Sequence, residues 1–125
     1  MSKKRIIVAD DDPGIVDAMK ILLEDEGYEV ITTGDGSAVH DLYDQKPDLV
    51  FLDLWMSGIN GNDVCRMLKS KIETKEVPII IFSANRDLEV ISKDCGANDF
   101  LPKPFDIDQL ISLVNKYLGN ENPVT

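Results

Sequence analysis

The chain is 125 residues long, which gives room for one hydrophobic core and little for a second domain. Hydrophobic residues make up 43% of it, an ordinary share for a globular protein, and this excludes extensive disorder away from the two ends. Asp and Glu number 23 against 13 Lys and Arg, and the formal net charge of −10 repels both nucleic-acid phosphates and an anionic membrane surface.

The start, Met1-Ser2-Lys3-Lys4-Arg5, runs into only Ile6 to Ala9 before a triple Asp. That apolar run is too short for a signal-peptide core or a membrane span, so a cytoplasmic protein is expected. Ile6 to Ala9 reads as a buried strand, β-branched and without polar alternation. It stops at Asp10-Asp11-Asp12-Pro13, where Asp12 suits a helix cap and Pro13 a first helical turn. Ile15, Val16, Met19, Leu22 and Leu23 then recur at helical spacing until Gly27 supplies a stop.

Tyr28 to Thr33 reads as the second strand and Gly34-Asp35-Gly36 as a turn. The helix after it carries Val39, Leu42 and Tyr43 and is ended by Lys46-Pro47. Leu49 to Leu52 is the third strand, closing at Asp53. Gly58 to Gly61 reads as a loop, and Val64, Met67, Leu68 and Ile72 mark the next helix. Pro78 opens a fourth strand, Ile79 to Phe82, ending at Ser83. Arg86 to Cys95 is a weaker helix stopped by Gly96. Asp99 to Leu101 is a brief fifth strand before Pro102-Lys103-Pro104. Asp106 then caps a last helix with Ile107, Leu110, Ile111, Val114 and Leu118 on one face and Gly119 after it. Strands alternating with helices in this way imply βαβ units and a mostly parallel sheet covered on both sides. One domain over 1–125 is expected, with an ordered core at about 4–119 and a frayed tail at 120–125. Cys65 and Cys95 lack metal-ligand spacing and read as buried, reduced thiols.

Ligands of open parallel sheets bind beyond the carboxyl ends of the strands. There the sequence places Asp10 and Asp11, Asp53, Ser83 and Lys103. Three carboxylates against one ammonium leave an excess of negative charge, so such a site either raises a carboxyl pKa or recruits a cation. Hard oxygen ligands in a part-open crevice suit Mg²⁺, whose remaining positions can take a phosphoryl oxygen.

These residues resemble the receiver domains of bacterial response regulators over nearly the whole chain. The likeness rests on Asp10-Asp11, on Asp53 within Leu52-Asp53-Leu54-Trp55-Met56, on Gly58 and Gly61, on Ser83-Ala84, and on Lys103-Pro104-Phe105. It implies an α/β, flavodoxin-like (βα)5 doubly wound sandwich with a parallel five-stranded sheet in the order 2-1-3-4-5. It implies that Asp53 is the phosphoacceptor for a sensor histidine kinase or phosphotransfer protein. It implies Mg²⁺ (or Mn²⁺) held by Asp11, Asp53 and the Trp55 backbone carbonyl, with Asp10 acting mainly through water. Ser83 and Lys103 would each contact a phosphoryl oxygen, the Lys103–Pro104 bond would be cis, and Ser83 with Phe100 would form the switch. The fourth helix, fifth strand and fifth helix would then address a downstream protein target, and two phosphorylated copies could pair through that face. Neither nucleic acid nor membrane is expected as a direct partner, and the domain would be a regulatory one that catalyses only its own phosphorylation and dephosphorylation. With the chain ending just after the last helix, no output domain is expected within it, and it reads either as a single-domain type or as a piece of a larger protein.

Two positions depart from the family pattern: Ser57 stands where Pro is usual, and Phe100 where a hydroxyl-bearing residue or His is commoner. Blander readings exist for each residue alone. An acidic triplet is usually a solvated turn, Lys103 alone a surface amine, Phe100 a core aromatic, and His40 a solvated side chain. Their joint placement at strand ends favours the site for Asp10, Asp11, Ser83 and Lys103, while Asp12 keeps the capping role, Phe100 stays open between core and switch, and His40 reads as solvated. Three rival functions compete with this one. A haloacid-dehalogenase-type phosphohydrolase places its two Asp residues two apart after the first strand and follows them with a small polar turn, whereas Asp10-Asp11-Asp12-Pro13 passes straight into a helix and no cap domain is expected to enclose a substrate. A flavodoxin-like mononucleotide carrier needs a phosphate loop where this chain has an Asp triplet. A receiver-like binding module would work without phosphorylation.

Overall fold

A computed structural model describes residues 3–35, 38–56 and 59–119, with the backbone alone at His40 and Ile59. The expectations for Gly36, Ser57, Gly58, the His40 side chain and the tail lie outside the described residues.

Five strands form one sheet: β1 (Arg5–Ala9), β2 (Glu29–Thr33), β3 (Leu49–Asp53), β4 (Ile79–Ser83) and β5 (Asp99–Pro102). Every pairing is parallel and the order is β2-β1-β3-β4-β5, as expected. The helices between them are α1 (Pro13–Asp25), α2 (Val39–Leu42), α3 (Gly61–Ser70), α4 (Leu88–Cys95) and α5 (Ile107–Leu118). Successive strand residues face opposite sides, and this splits the core in two. Ile6, Val8, Phe51, Ile80 and Phe82 pack with Met19 and Leu23 of α1 and with Leu110, Val114 and Leu118 of α5. Ile7, Ala9, Val50, Leu52, Ile79 and Ile81 pack with Val39, Val64, Leu68 and Leu88 of α2, α3 and α4. Burying each large apolar side chain stabilises the fold by about 1.5–3 kcal/mol, which is why the central strands carry apolar residues on both faces.

Local chemistry sets the ends. The Asp12 carboxylate accepts from the N–H groups of Gly14 (2.9 Å) and Ile15 (3.4 Å), with Pro13 leading the helix. At α5 the Asp106 carboxylate accepts from Gln109 N–H while the Gln109 side chain accepts from Asp106 N–H, a reciprocal box.

The second helix is shorter than its apolar spacing predicts. One turn of α-helix passes into a 3₁₀ turn at Tyr43–Gln45 and ends at Lys46, φ 56°. Pro47 disfavours helical geometry for the residue before it, which cuts the helix off. The predicted loop at Gly58 to Gly61 is also corrected. Ile59–Asn60 pairs antiparallel with Trp55–Met56, and Gly61 is already the first residue of α3, capped by the Asn60 side chain. Ile72 is not on the helix it was assigned to: α3 ends at Ser70 and Ile72 is 80% exposed. Ile107 opens α5 but lies exposed, outside its buried stripe.

Candidate functional site

The registers of β1, β3, β4 and β5 bring four strand ends together. Ala9 lies opposite Leu52, Asp53 opposite Phe82, and Ser83 opposite Pro102. Asp10 therefore emerges beside Asp53, and the Lys103 N–H, donating to the Ser83 carbonyl at 2.9 Å, starts a segment that returns toward both. One carboxylate oxygen from each of Asp10, Asp11 and Asp53 lies within 4.8 Å of the others. The Lys103 ammonium stands 2.8 Å from Asp10 Oδ2 and 3.5 Å from Asp53 Oδ1, and 4.7 Å above the Phe82 ring. The Lys103–Pro104 bond is cis.

Burial differs among the acids. Asp10 is 2% exposed and Asp53 7%, while Asp11 faces solvent. Asp10 is anchored by protein on both oxygens: Oδ1 accepts from Asp12 N–H at 2.9 Å and Oδ2 accepts from Lys103. Burial, and then the neighbouring Asp10 charge, push the Asp53 carboxyl up to about 6. Lys103 and the backbone N–H of Trp55 oppose that shift without cancelling it. At 4 Å two unit charges interact by about 4 kcal/mol at an effective dielectric near 20, so one ammonium cannot neutralise three carboxylates. The donor set consists of hard oxygens with uncompensated negative charge, and this fits a Mg²⁺-type cation better than a soft metal.

Trp55 follows β3 and is 62% exposed, so its backbone is what borders the carboxylates. Ser83 is half-buried at the end of β4, and its Oγ accepts from Asn85 N–H at 3.1 Å, at the start of the segment leading to α4. Phe100 is half-buried: it packs against the α3–α4 side of the core and also borders a groove with Leu101, Gln109 and Leu113 beside α5. A second groove is lined in part by Lys103. Ile15, Ala18 and Leu22 of α1 face Pro104, Phe105 and Ile107 across a largely apolar floor reached from Lys103.

Gly61 has a role the sequence did not disclose. Its N–H donates to the Leu54 carbonyl at 2.6 Å, and a Cβ there would overlap the carbonyl oxygen of Asp53 itself. The available signal was a glycine at the first position of a helix, where other residues are better helix formers. The Trp55 N–H and the apolar groove left no mark in the sequence, because both arise only after distant segments meet.

Residues 6–115 match the family model of the response regulator receiver domain. The chain belongs to that family. It is 39% identical over 119 residues to the DNA-binding response regulator MtrA of Mycolicibacterium smegmatis, an alignment covering 93% of this chain and 51% of that protein. The chain thus spans about half the length of the curated relatives it matches. Among solved structures, the NtrX receiver domain of Brucella abortus is 34% identical with a TM-score of 0.81, covering 93% of this chain and 99% of that one. The receiver domain of the Pseudomonas aeruginosa sensor histidine kinase PA1611, described with a magnesium ion coordinated in its active-site cleft, is 25% identical. Its TM-score is 0.84, and the match covers 95% of this chain and 100% of that chain. The receiver domain is thus a regulatory module, the phosphoacceptor switch of two-component signalling. Among the described residues no helix is long and apolar enough to cross a membrane.

Proposed function

We propose that Asp53 is the phosphoacceptor of this receiver domain, and that residues 1–125 act as one switch. The observation carrying this reading is the packing of Asp53 among Asp10, Asp11 and Lys103 at the end of β3, with its carboxyl pushed up to about 6. That value lies below physiological pH, so the carboxylate is mainly ionised and able to attack. An Asp53 oxygen attacks the phosphorus of a kinase or phosphotransfer-protein phosphohistidine, and the phosphorus–nitrogen bond breaks as the imidazole leaves and takes a proton.

Asp11, Asp53 and the Trp55 carbonyl would hold Mg²⁺ (or Mn²⁺), with Asp10 in support through water. Such a cation would supply neutralisation of the transferring phosphoryl oxygens. Lys103 orders Asp10 and Asp53 before transfer, and its ammonium then has a phosphoryl oxygen as an alternative partner. The Ser83 hydroxyl would leave Asn85 N–H and donate to another. That movement opens room for Phe100 to turn inward and alters the face made by α4, β5 and α5. Phosphoryl contacts made in only one of the two states bias the equilibrium between them. The phosphoryl donor would rest on the apolar groove between α1 and Pro104–Phe105, which Lys103 also lines.

The downstream target on this reading is a protein, met by the α4–β5–α5 face or through pairing of two phosphorylated copies. The M. smegmatis relative is named as DNA-binding, yet the −10 charge of this chain disfavours direct contact between these residues and nucleic-acid phosphates. The domain would turn over no substrate beyond its own phosphorylation and dephosphorylation, in the cytoplasm. Incubation with Mg²⁺ and acetyl phosphate followed by intact-mass measurement tests the assignment. One phosphoryl group on the wild type and none on Asp53→Asn is expected, and uptake that survives the substitution would show another residue to be the acceptor.

A further inference from the structure

Cys65 on α3 and Cys95 at the end of α4 are 30 residues apart in sequence, yet their sulfurs lie 2.9 Å from each other. Cys65 is 0% exposed and Cys95 2%, and neither is engaged in a disulfide. The Cys65 thiol also lies 3.5 Å from the Cys95 carbonyl, so the two residues meet through backbone as well as sulfur. Each thiol's contact with the other holds Cys95 below its usual value and pushes Cys65 up.

We propose that Cys65 and Cys95 form a reversible disulfide latch that ties α4 to α3 when a small hydroperoxide is present. The Cys95 sulfur attacks one peroxide oxygen: a sulfur–oxygen bond forms, the oxygen–oxygen bond breaks, and the departing oxygen leaves as water. The Cys65 sulfur then attacks the Cys95 sulfur. The sulfur–sulfur bond forms, the sulfenic oxygen leaves as a second water, and the Cys65 proton goes with it. Two thiols are oxidised by two electrons while hydrogen peroxide is reduced to two waters, and a low-molecular-weight thiol reverses the step.

The shielding of both sulfurs makes access depend on movement of α4. That helix has eight residues and no side-chain hydrogen bond at its N-cap Asp87, and beyond packing it is tied to α3 by the exposed Arg66–Asp94 ion pair at 3.3 Å. Leu88 begins α4 a few residues beyond Ser83, and α3 begins at Gly61 against the Asp53 carbonyl. The latch therefore joins the helix rooted at the acceptor to the helix that leads the output face. This consequence for signalling rests on the switch reading, whereas the bond itself does not.

The test uses the full chain treated with hydrogen peroxide, then denatured and alkylated with N-ethylmaleimide. Loss of two hydrogens, no alkylation until a reductant is added, and a peptide map linking the Cys65 and Cys95 peptides are expected. Cys65→Ala and Cys95→Ala, with circular dichroism checking their fold, should each show no link. Full alkylation of both thiols, oxygen adducts without a link, or links only between two chains would overturn the latch; the wild-type map decides this even where a variant misfolds. Acetyl phosphate and Mg²⁺ are then given to reduced and oxidised protein. Both should take up phosphoryl, with faster hydrogen exchange in α4 of the reduced form alone. Equal exchange in the two forms would refute the effect on α4. A link without phosphoryl uptake by reduced protein supports the latch while removing the switch reading, and uptake without a link does the reverse.

Discussion

Gly61 and Asp53 are coupled through backbone, and the coupling constrains two substitutions. A methyl group at Gly61 must displace the Asp53 carbonyl or the Leu54 backbone, neither of which is a flexible side-chain end. Gly61→Ala should therefore destabilise the domain by about 1–3 kcal/mol in urea unfolding, although alanine normally favours a helix. A change below about 0.5 kcal/mol would mean that the close approach relaxes at little cost. Asp53 itself should give a pH-dependent effect. Its carboxyl titrates at about 6 in the folded chain against an ordinary 3.8. Between those values the folded state binds more protons than the unfolded one, so Asp53's contribution falls as pH rises and is least favourable above about 6. In EDTA, Asp53→Asn should exceed the wild type by about 1–2 kcal/mol near pH 8, allowing for solvent screening, and the gain should vanish below about pH 3.5. A gain of equal size at both pH values would refute the electrostatic cause.

At the level of elements, caps separate the helices that were legible from those that were not. α5 announces itself through Asp106 and through the stripe of Leu110, Val114 and Leu118, and the structure has both, with Gln109 completing a capping box. Asp106→Ala should lower stability by about 1 kcal/mol in the same urea assay without changing phosphoryl uptake, since it removes an acceptor for the Gln109 N–H. An unchanged midpoint would show that water replaces the cap at no cost. α2 was read as a fuller helix because apolar spacing reports which residues face inward and says little about how many turns the backbone completes. The short antiparallel pair at Trp55–Met56 and Ile59–Asn60 was missed for a related reason: two-residue strands have no periodicity to detect. Cys65 and Cys95 were each placed correctly as buried, but their contact depends on how α3 and α4 cross.

For the whole molecule, the acidic cluster is expected to link stability to divalent cations. A ligand that binds only the folded chain stabilises it by mass action, about 1.4 kcal/mol at ten times its dissociation constant. Thermal unfolding of the wild type should shift upward with Mg²⁺ and return with EDTA, and the shift should shrink in Asp53→Asn. A shift of equal size in that variant would place the cation elsewhere. The apolar pattern makes this experiment interpretable, because both faces of one sheet are covered by a single core on each side and unfolding is expected to be one cooperative event.

The order of residues alone determined the alternation of strands and helices, the burial of the central strands and the presence of acids, a hydroxyl and a lysine at strand ends. Those are local properties, set by side-chain polarity and by spacing along one segment. Tertiary structure decided that Lys103 reaches Asp10 and Asp53 from the end of β5, that Gly61 lies close against the Asp53 carbonyl, and that two cysteines touch. Distances between segments depend on register and helix crossing, which result from all the contacts of the sheet together and are carried by no single stretch of chain.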